Sequence, residues 1–336
     1  MEVNVAISGF GRIGRLVLRS IVESKRKDIN VVAINDLAPV DTNAFLLAND
    51  TVHGPLNEKI SVKKNKMTIG RKTISVLNER DPQKLPWKKM KIDVALECTG
   101  LFTSKEKASM HIKAGAKKVL VSAPCSEADK TIVYGVNEQE ITRNDLVVSN
   151  ASCTTNCLAP VVKVLHEKFG IVHGYMTTIH AFTGDQSVLD TFHPDLRRAR
   201  AASMSMIPTS TGAAKAVGLV MPELSGKLDG TAIRVPTPNV SLIDFKFVST
   251  KTMKVDSVNK AMTAASRSNK LKGILNVNSK PLVSSDFNHN PASSNFDLTQ
   301  TQVIDGKFGR VLSWYDNEWG FSNRMCDTAV AMKRSK

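Results

Sequence analysis

Two spacings of apolar residues alternate at the start of the chain. Residues 3–7 form a short apolar run of the kind found in buried strands, and residues 30–34 form another. Between these runs, apolar side chains recur three or four positions apart, as they do on the buried face of a helix. The pattern therefore predicts a strand, a helix and a second strand, which together begin a parallel sheet.

The same alternation continues to about residue 150. Further strands are predicted at residues 93–98, 118–122 and 146–148. A helix is predicted at residues 105–113, where Gly115 ends it. Residues 40–90 predict a short helix over 44–48, capped by residues 41–43, and then an insertion of short strands and turns.

Beyond residue 153 the pattern changes to that of a sheet with one covered face. Residues 171–182 alternate between two sets of side chains, which is typical of such a strand. Further strands are predicted at residues 231–235, 241–248 and 310–315, and helices at residues 255–266 and 318–332. Residues 183–206 are polar, basic and interrupted by Gly and Pro, so we expect a long loop that needs a partner surface to become ordered.

A glycine-rich segment links the first predicted strand to the first helix. It reads Gly9-Phe10-Gly11-Arg12-Ile13-Gly14. Gly9 permits a tight turn, Gly11 lets the backbone approach a pyrophosphate, and Gly14 lets the helix pack on the strand. At the end of the second strand, the carboxylate of Asp36 accepts hydrogen bonds from ribose hydroxyls and repels a 2′-phosphate. The segment therefore predicts a site for NAD rather than NADP.

Together these patterns predict an α/β fold with two domains. Residues 1–152 form a Rossmann-type NAD-binding domain with a mostly parallel sheet, which a C-terminal helix at residues 317–336 completes. Residues 153–316 form an α+β catalytic domain with a largely antiparallel or mixed sheet. Ligands are expected at the carboxyl ends of the parallel strands, beside Thr99, Ser122 and Asn150.

Cys153 follows a predicted strand and precedes a predicted helix. At a helix N-terminus the free N–H groups and aligned peptide dipoles favour an anion, so we expect its thiol to lose a proton more readily than a free thiol. Free cysteines are more often inert buried residues, which is how we interpret Cys157 inside the helix. Small hydrogen-bonding neighbours favour a chemical role for Cys153 instead: Ser152, Thr154, Thr155 and Asn156. We therefore predict that Cys153 is a nucleophile.

His180 lies at the end of the alternating strand that follows. An imidazole near a thiol can take its proton and act as a general base. Seven histidines are present, and we interpret the other six as ordinary surface or core residues. Neither a Cys-x-x-Cys nor a His-x-x-x-His spacing suggests metal binding, so no metal site is predicted.

Residues suited to binding anions follow His180. They are Thr183, Asp185, Arg197, Arg198, Arg200 and Arg234. Residues 209–212 read Thr-Ser-Thr-Gly and open a predicted helical run at 213–220, which resembles a helix N-terminus suited to phosphate. Taken alone, these features fit a capped helix and exposed arginines equally well. Beside a thiol and a nicotinamide site, they favour a phosphorylated substrate.

The formal net charge of +15 is concentrated locally. Residues 59–91 hold eleven Lys and Arg residues against two acids. We rank three interpretations in this order: a solvated face, a field that steers anionic small molecules, and a nucleic-acid surface. Nucleic acid is not expected as the primary partner, because Trp87 is the one Trp, Tyr or Phe in this segment and no nucleic-acid-binding motif accompanies it. Binding of RNA or an acidic partner remains an alternative.

The composition indicates the cellular compartment in which the protein is expected. Hydrophobic residues make up 42% of the chain, and no run reaches the roughly 18 apolar residues of a membrane helix. The first residues lead into a strand rather than a signal peptide. Five cysteines, an odd number without a paired framework, fit a reducing compartment. We expect a cytoplasmic protein with no membrane partner.

Six motifs resemble the phosphorylating NAD-dependent glyceraldehyde-3-phosphate dehydrogenase family, in its bacterial form. They lie at residues 9–15, 151–160, 196–202, 208–216, 234–240 and 314–318. The resemblance covers essentially the whole chain, and the cysteine motif is highly specific. It implies oxidation of D-glyceraldehyde 3-phosphate by NAD and inorganic phosphate to 1,3-bisphosphoglycerate, in glycolysis or gluconeogenesis, by a homotetramer.

The resemblance also implies roles for single residues, with Cys153 as the nucleophile and His180 as the base. Residues implied to hold NAD are Gly9, Gly11, Arg12, Ile13, Gly14, Asp36, Arg80, Ser122 and Asn317, the last of which would fix the nicotinamide carboxamide. Residues implied to bind the substrate phosphate and the attacking phosphate are Ser152, Thr154, Thr183, Arg198, Thr211, Gly212 and Arg234. Thiolate attack would give a hemithioacetal, hydride transfer a thioester, and phosphate would release the product.

One sister activity uses the same fold, cysteine and histidine. Residues 286–289 and 317–321 are also similar to erythrose-4-phosphate dehydrogenase, which remains an alternative. Against it, Thr183 and residues 209–212 retain the pattern that phosphate-dependent chemistry requires. Near the cofactor, three residues depart from the usual family pattern: Ser8, Phe192 and Phe321.

Overall fold

The structure, a computed structural model, describes residues 2–335 and divides the chain into two compact units. The first unit holds the residues up to Ile132, then Glu138–Ala151, and the residues from Ser322 on. The second unit holds Val133–Asn137 and Ser152–Phe321. Each unit is built on its own large sheet.

The first unit contains a nine-stranded sheet in the order β10-β11-β9-β8-β1-β2-β7-β6-β5. Its strands, with a separate β3–β4 pair, are β1 (Val3–Ser8), β2 (Ile29–Asn35), β3 (Asn49–Asp50), β4 (Gly54–Pro55), β5 (Ile60–Val62), β6 (Lys66–Ile69), β7 (Lys72–Leu77), β8 (Val94–Glu97), β9 (Lys118–Val121), β10 (Lys130–Thr131) and β11 (Val147–Ser149). From β10 to β7 all neighbours are parallel, and β6 and β5 add an antiparallel edge. The central β1 is buried on both faces apart from the half-buried Asn4, as expected of a strand covered on both sides.

The helices of this unit are α1 (Arg12–Glu23), α2 (Val40–Ala48), α3 (Lys105–Ala108) and α4 (Met110–Lys113). The structure differs from two predictions about them. The helix predicted at 105–113 is present as two short helices divided at Ser109, although the N–H of Ser109 still bonds the Lys105 carbonyl at 2.9 Å. Helix α2 begins after Pro39 rather than after residues 41–43, because its first helical bond already runs from the Asn43 N–H to the Pro39 carbonyl at 3.0 Å.

The second unit contains a mixed sheet in the order β13-β14-β12-β15-β19-β17-β16, with β18 paired to β19. Its strands are β12 (Ile171–Ala181), β13 (Ile207–Ser210), β14 (Leu228–Val235), β15 (Ser241–Ser249), β16 (Leu275–Asn278), β17 (Ser294–Asp297), β18 (Gln302–Ile304) and β19 (Phe308–Tyr315). Its helices are α5 (Cys153–Phe169), α6 (Val217–Val220) and α7 (Val255–Ser266). The predicted α/β fold, with one mostly parallel and one mixed sheet, is confirmed.

The helix predicted to start at residues 209–212 begins later, with α6 at Val217. Thr209 and Ser210 instead belong to β13, whose backbone pairs antiparallel with Ala232 and Thr231 of β14. Between this strand and α6 lies a turn, in which the Ala216 N–H bonds the Gly212 carbonyl at 2.9 Å. The prediction failed because β14 lies more than twenty residues further along the chain, beyond the reach of a local pattern.

Residues 183–206 contain no helix or strand, as predicted for a loop. Hydrogen bonds within the loop hold it: Asp190 accepts from Arg200 and from the backbone of Ala201. Its large apolar side chains nevertheless face outward, with Phe192 91% and Leu196 82% exposed.

The last helix, α8 (Trp319–Arg334), belongs to the first unit from Ser322 on. There Asp327 forms an ion pair with Arg26 at 2.6 Å, and the hydroxyl of Thr328 donates to Asn150 at 2.8 Å. The C-terminus is thus anchored beside β11 of the first sheet.

Candidate active site

Cys153 is the first residue of α5, as the sequence predicted. Asn150 follows β11, Ala151 has a left-handed backbone with φ 56°, and Ser152 caps the helix in an extended conformation. The hydroxyl of Ser152 accepts from the backbone N–H of Thr155 at 3.1 Å. Because this turn is sharp, the chain delivers the Cys153 sulfur to the positive end of a seventeen-residue helix.

His180 lies beside that sulfur. The alternation of β12 turns Met176, Thr178 and His180 toward the core, and Nε2 of His180 lies 3.5 Å from Sγ of Cys153. The two residues that the sequence singled out for chemistry, 27 positions apart, are therefore in contact.

The other ring nitrogen of His180 decides which tautomer is present. Nδ1 lies 2.6 Å from the carbonyl oxygen of Ala181 and 2.8 Å from Nη1 of Arg234. A protonated Nδ1 donates to the carbonyl, whereas a bare Nδ1 accepts from the guanidinium. The carbonyl is the nearer group, and Nη1 of Arg234 also has Ala181 O as an acceptor at 3.1 Å. The favoured tautomer carries its proton on Nδ1, so a lone pair on Nε2 faces the sulfur.

Burial, and then the charge of Arg234, lower the pKa of His180 to about 3. The imidazole is therefore neutral near pH 7. A neutral ring with a lone pair toward Cys153 is suited to accept the thiol proton.

The pKa of the Cys153 thiol differs from the prediction. Burial raises the pKa of Cys153 above its ordinary value, although Arg234 and hydrogen bonds from Thr154 lower it. The sequence predicted a net lowering from the helix N-terminus, and this was wrong. Burial depends on the packing of distant elements over the sulfur, which a local pattern does not reveal. Both partners of the pair are neutral at rest.

Arg234 joins this pair from β14. Its Nη1 donates to the Ala181 carbonyl beside His180, whereas its Nε is buried and has no hydrogen-bond partner within residues 2–335. An arginine with an unused, buried donor fits an anionic ligand. The predicted anion-binding residue is thus next to the predicted base.

Arg198 belongs to a neighbouring cluster. Its Nε donates to Thr209 at 3.0 Å, its Nη1 pairs with Asp185 at 2.5 Å, and Asp195 accepts from Thr209 at 3.1 Å. The positive charge of Arg198 contributes to lowering the pKa of His180, after burial and Arg234. Arg198 is therefore close enough to affect the site electrostatically.

The remaining predicted phosphate-binding residues are engaged locally. Thr154 Oγ1 lies 2.8 Å from the hydroxyl of Tyr315, and Thr211 Oγ1 accepts from the backbone N–H of Ala213 at 3.2 Å. The carbonyl of Thr183 accepts from Gln186 at 2.8 Å. Space around Gly212 is open, with no atom within 4 Å of the position of a Cβ.

Asn317 also lies in the second unit. It is buried, and its Oδ1 accepts from the hydroxyl of Ser241 at 2.8 Å. Its side-chain nitrogen has no hydrogen-bond partner within residues 2–335. A buried amide with a free N–H₂ group fits the carboxamide oxygen of nicotinamide.

A cavity of about 370 Å³ lies at the carboxyl edge of the parallel sheet in the first unit. Among its lining residues are four predicted to bind the cofactor: Gly9, Gly11, Asp36 and Arg80. Gly11 caps α1 without a side-chain hydrogen bond, and no atom lies within 4 Å of the position of a Cβ there. Free helix amides behind open space fit a pyrophosphate.

The other residues predicted to bind the cofactor are not among those that line this cavity. A Cβ on Gly14 would lie 2.1 Å from the carbonyl oxygen of Gly9, so that glycine packs α1 against the turn. Arg12 is the first residue of α1 and forms an ion pair with buried Asp50 at 2.6 Å. The next residue along the chain, Ile13, is half-buried. Ser122 follows β9 and hydrogen-bonds the thiol of Cys98; neither Ser122 nor Arg12 lines the cavity.

Comparison with known proteins decides the family. Residues 3–105 match the NAD binding domain of glyceraldehyde 3-phosphate dehydrogenase, and residues 152–317 match its C-terminal domain. The chain is 64% identical to glyceraldehyde-3-phosphate dehydrogenase of Xanthobacter flavus over 99% of both chains. It is 62% identical to that of Cereibacter sphaeroides, over 99% of each chain, and 54% identical to that of Geobacillus stearothermophilus, over 98% of each.

The chain belongs to the glyceraldehyde-3-phosphate dehydrogenase family. NAD is accordingly its cofactor, as the glycine segment and Asp36 predicted. Two residues of this family member were missed by reasoning from the residues alone. Tyr315 places its hydroxyl 2.8 Å from Thr154 and 2.9 Å from Thr178, and its ring is nearly perpendicular to that of His180. Ser241 bonds Asn317. Tyr315 lies within a motif that carried the family resemblance, which was the one available signal.

Cys157 lies one turn beyond Cys153 on α5. It is fully buried, its sulfur lies 3.4 Å from Ser294 Oγ, and burial raises its pKa to about 12. A thiol in that environment is unreactive, in agreement with its interpretation as a bystander.

Within residues 2–335, no cluster of three or more His, Cys, Asp or Glu side chains is arranged to hold a metal ion. None of the helices in this range combines the length and apolar character needed to cross a membrane.

Proposed function

We propose that this chain oxidises D-glyceraldehyde 3-phosphate with NAD and inorganic phosphate to 1,3-bisphosphoglycerate and NADH, in glycolysis or gluconeogenesis. The observation that carries the proposal is the contact between Cys153, at a helix N-terminus, and a neutral His180 that lies beside Arg234. This arrangement provides a nucleophile, a base and an anion-binding group in one place. Membership of the family supports the same reaction.

His180 acts first. Its Nε2 takes the thiol proton, and the new thiolate attacks the aldehyde carbon, whose oxygen becomes an oxyanion that faces the N–H groups of the first turn of α5. The imidazolium returns that proton to the oxyanion, which gives a hemithioacetal and leaves His180 neutral. Bound NAD supplies an acceptor for the hydride that leaves this carbon. His180 receives the hydroxyl proton in the same step, which leaves a thioester on Cys153. Phosphate then attacks the thioester carbon, releasing the acyl phosphate and the Cys153 thiolate.

Two anion sites are needed for this chemistry. We assign the substrate phosphate to Thr183, Arg198 and Arg234, because the buried Nε of Arg234 has an unused donor. We assign the attacking phosphate to Ser152, Thr154, Thr211 and Gly212, where the helix N-terminus and the open space at Gly212 favour an anion.

The cofactor residues follow the same reasoning. We assign NAD to Gly9, Gly11, Arg12, Ile13, Gly14, Asp36, Arg80 and Ser122 in the first unit, and to Asn317 for the nicotinamide carboxamide. Residues 1–152, completed by the C-terminal helix 317–336, then serve as the NAD-binding domain and residues 153–316 as the catalytic domain. This assignment is supported by the strand order and by the cavity at the carboxyl ends of the strands.

We also infer a homotetramer. Residues 183–206 expose large apolar side chains, including Phe192 and Leu196, and contiguous exposed apolar residues favour association. A cytoplasmic location stays a prediction from the cysteine content.

The test is the initial rate of NAD reduction by the purified protein. We expect fast turnover of glyceraldehyde 3-phosphate that depends on inorganic phosphate, and slow turnover of erythrose 4-phosphate. Weak triose activity that ignores phosphate, with erythrose 4-phosphate preferred, would retain the cysteine chemistry but assign the protein to the sister activity.

A further inference from the structure

Two hydrogen bonds join the start of β15 to the turn after β19. Asn239 donates from Nδ2 to Asp316 Oδ2 at 2.8 Å, and Ser241 donates from Oγ to Asn317 Oδ1 at 2.8 Å. All four side chains are buried. Asp316 also accepts from the backbone N–H groups of residues 289, 318 and 319, so the turn that carries Asn317 is held on several sides.

A third group agrees with the direction of the bond between Ser241 and Asn317. The backbone N–H of Ala181 donates to Ser241 Oγ at 3.0 Å. A backbone N–H is always the donor, so the hydroxyl accepts there, and its own proton is available for Asn317 Oδ1 at 2.8 Å. The oxygen of the Asn317 amide therefore faces Ser241. The N–H₂ group is left without a partner within residues 2–335.

An asparagine side chain can present either its oxygen or its nitrogen to a ligand, and the two ends differ little in shape. A nicotinamide carboxamide also has an oxygen and an N–H₂ group. Which end of Asn317 faces the cofactor therefore decides which end of the carboxamide it holds. A carboxamide that is held in one orientation keeps the nicotinamide ring from rotating. A nicotinamide ring that does not rotate accepts hydride on one face only.

We infer that Ser241 is a positioning residue for the cofactor: it orients Asn317 so that the N–H₂ group, and not the oxygen, is presented to the nicotinamide carboxamide. This inference rests on the proposed role of Asn317. It also connects the cofactor anchor to the base. Ala181 donates its N–H to Ser241, while its carbonyl oxygen lies 2.6 Å from Nδ1 of His180.

The first experiment measures the dissociation constant of NAD for the Ser241→Ala variant by titration calorimetry, without substrate. Loss of one buried hydrogen bond that orients an amide is expected to weaken binding about threefold to tenfold. Ser249→Ala is the matched control. Ser249 is also a buried serine on β15, but its hydroxyl donates to the Lys251 carbonyl at 2.7 Å, and NAD affinity should be unchanged.

The second measurement is stereochemical. With glyceraldehyde 3-phosphate deuterated at the aldehyde carbon, NMR of the reduced cofactor shows which face of the ring received deuterium. Wild type and Ser249→Ala should give one face, and Ser241→Ala should give a detectable fraction of the other. A general loss of stability would not change the face. Unchanged affinity together with a single face in Ser241→Ala would overturn the inference.

Two variants of Asn317 keep the test decisive if Ser241→Ala folds poorly. Asn317→Asp retains an acceptor for Ser241 but replaces the outward N–H₂ group by oxygen, so it should bind NAD at least as weakly as Ser241→Ala. Wild-type affinity in Asn317→Asp would overturn the inference. Adding Asn317→Ala to Ser241→Ala should cost less than the sum of the two single losses, because the serine acts through the asparagine. Full additivity would contradict it. Since the affinity measurements need no turnover, they test the inference even if the proposed reaction fails.

Discussion

The sulfur of Cys153 lies 3.5 Å from Nε2 of His180, and both groups are neutral in the resting protein. Burial raises the pKa of the thiol, while burial and Arg234 lower the pKa of the imidazole to about 3. The pair is therefore set to exchange a proton when the aldehyde arrives, rather than held as a resting ion pair. Arg234 is the cation that acts on both pKa values.

Alkylation of the free enzyme by iodoacetamide tests the state of the thiol. Because the pKa of Cys153 is raised, we expect the rate to keep rising with pH into the alkaline range. Arg234→Gln removes a cation that lowers this pKa, so the thiol pKa should rise further and alkylation at pH 7 should slow several-fold, one pKa unit being a factor of ten. Arg200→Gln, which changes an exposed arginine paired with Asp190, is the control. Equal rates at pH 6 and pH 9 would indicate a resting thiolate and contradict this account.

The buried His180 also makes stability depend on pH. Its pKa in the folded chain is about 3, below the ordinary value of 6.5, so the unfolded chain binds the proton more readily. The free energy of unfolding should therefore fall as pH drops below 6.5. Relative to His180→Asn, we expect the free energy of unfolding of wild type to fall by about 2 kcal/mol more between pH 7.5 and pH 5, measured by urea unfolding. In a separate measurement, kcat of His180→Asn should be about 10²-fold to 10⁴-fold lower than that of wild type, because the base is removed. An identical pH dependence of stability in both proteins would show that the imidazole is not held neutral.

How much of this site the sequence could predict differs from residue to residue. The glycine segment, Asp36 and the position of Cys153 were predictable, because each depends on a few neighbouring residues at a fixed spacing. The orientation of His180 followed from the two-residue repeat of β12. The raised pKa of Cys153 and the bond from Ser241 to Asn317 were not predictable, since both depend on residues brought together from distant parts of the chain.

The fold shows the same division. The long strands of the second unit and most strands of the parallel core were predicted within a few residues from apolar spacing, whereas the short strands β10, β16, β17 and β18 were not predicted. Thr209 and Ser210 were misplaced, because pairing with β14 overrode a local pattern that is also typical of a helix start. Local signals thus predicted the elements, and long-range pairing decided the exceptions.

Two glycines of the cofactor turn have different roles: Gly14 is needed for folding, and Gly11 for NAD binding. Ala at Gly14 would place its Cβ 2.1 Å from the carbonyl oxygen of Gly9, so Gly14→Ala should destabilise the protein by about 1–3 kcal/mol or more in urea unfolding. Gly11 has open space at its Cβ position, so Gly11→Ala should change stability by less than about 0.5 kcal/mol. We expect Gly11→Ala to weaken NAD binding at least tenfold, because the methyl group occupies the approach of the pyrophosphate. Normal NAD affinity in a folded Gly11→Ala would place the pyrophosphate elsewhere.

Asp36 should control the choice between NAD and NADP. Its carboxylate accepts from the backbone N–H of Phe10 at 2.7 Å and of Ala38 at 2.9 Å, and it lines the cavity. Asp36→Asn removes the negative charge, so NAD affinity should fall about tenfold. The ratio of the affinity for NAD to the affinity for NADP should also become smaller. Asp41→Asn, at an exposed acid in α2, is the control and should leave both affinities unchanged. The account of cofactor choice fails if Asp36→Asn keeps the full preference for NAD.

The covalent step on Cys153 is the central claim, and it can be measured directly. The enzyme is mixed with NAD and glyceraldehyde 3-phosphate in the absence of phosphate, quenched in acid and analysed by mass spectrometry of the intact chain and its peptides. We expect one acyl group per chain, on the peptide that contains Cys153, and its discharge when phosphate is added before the quench. Cys157→Ser should behave in the same way, and Cys153→Ser should form no adduct while still binding NAD. NADH formation without an adduct on Cys153, or with an adduct on another residue, would contradict the account.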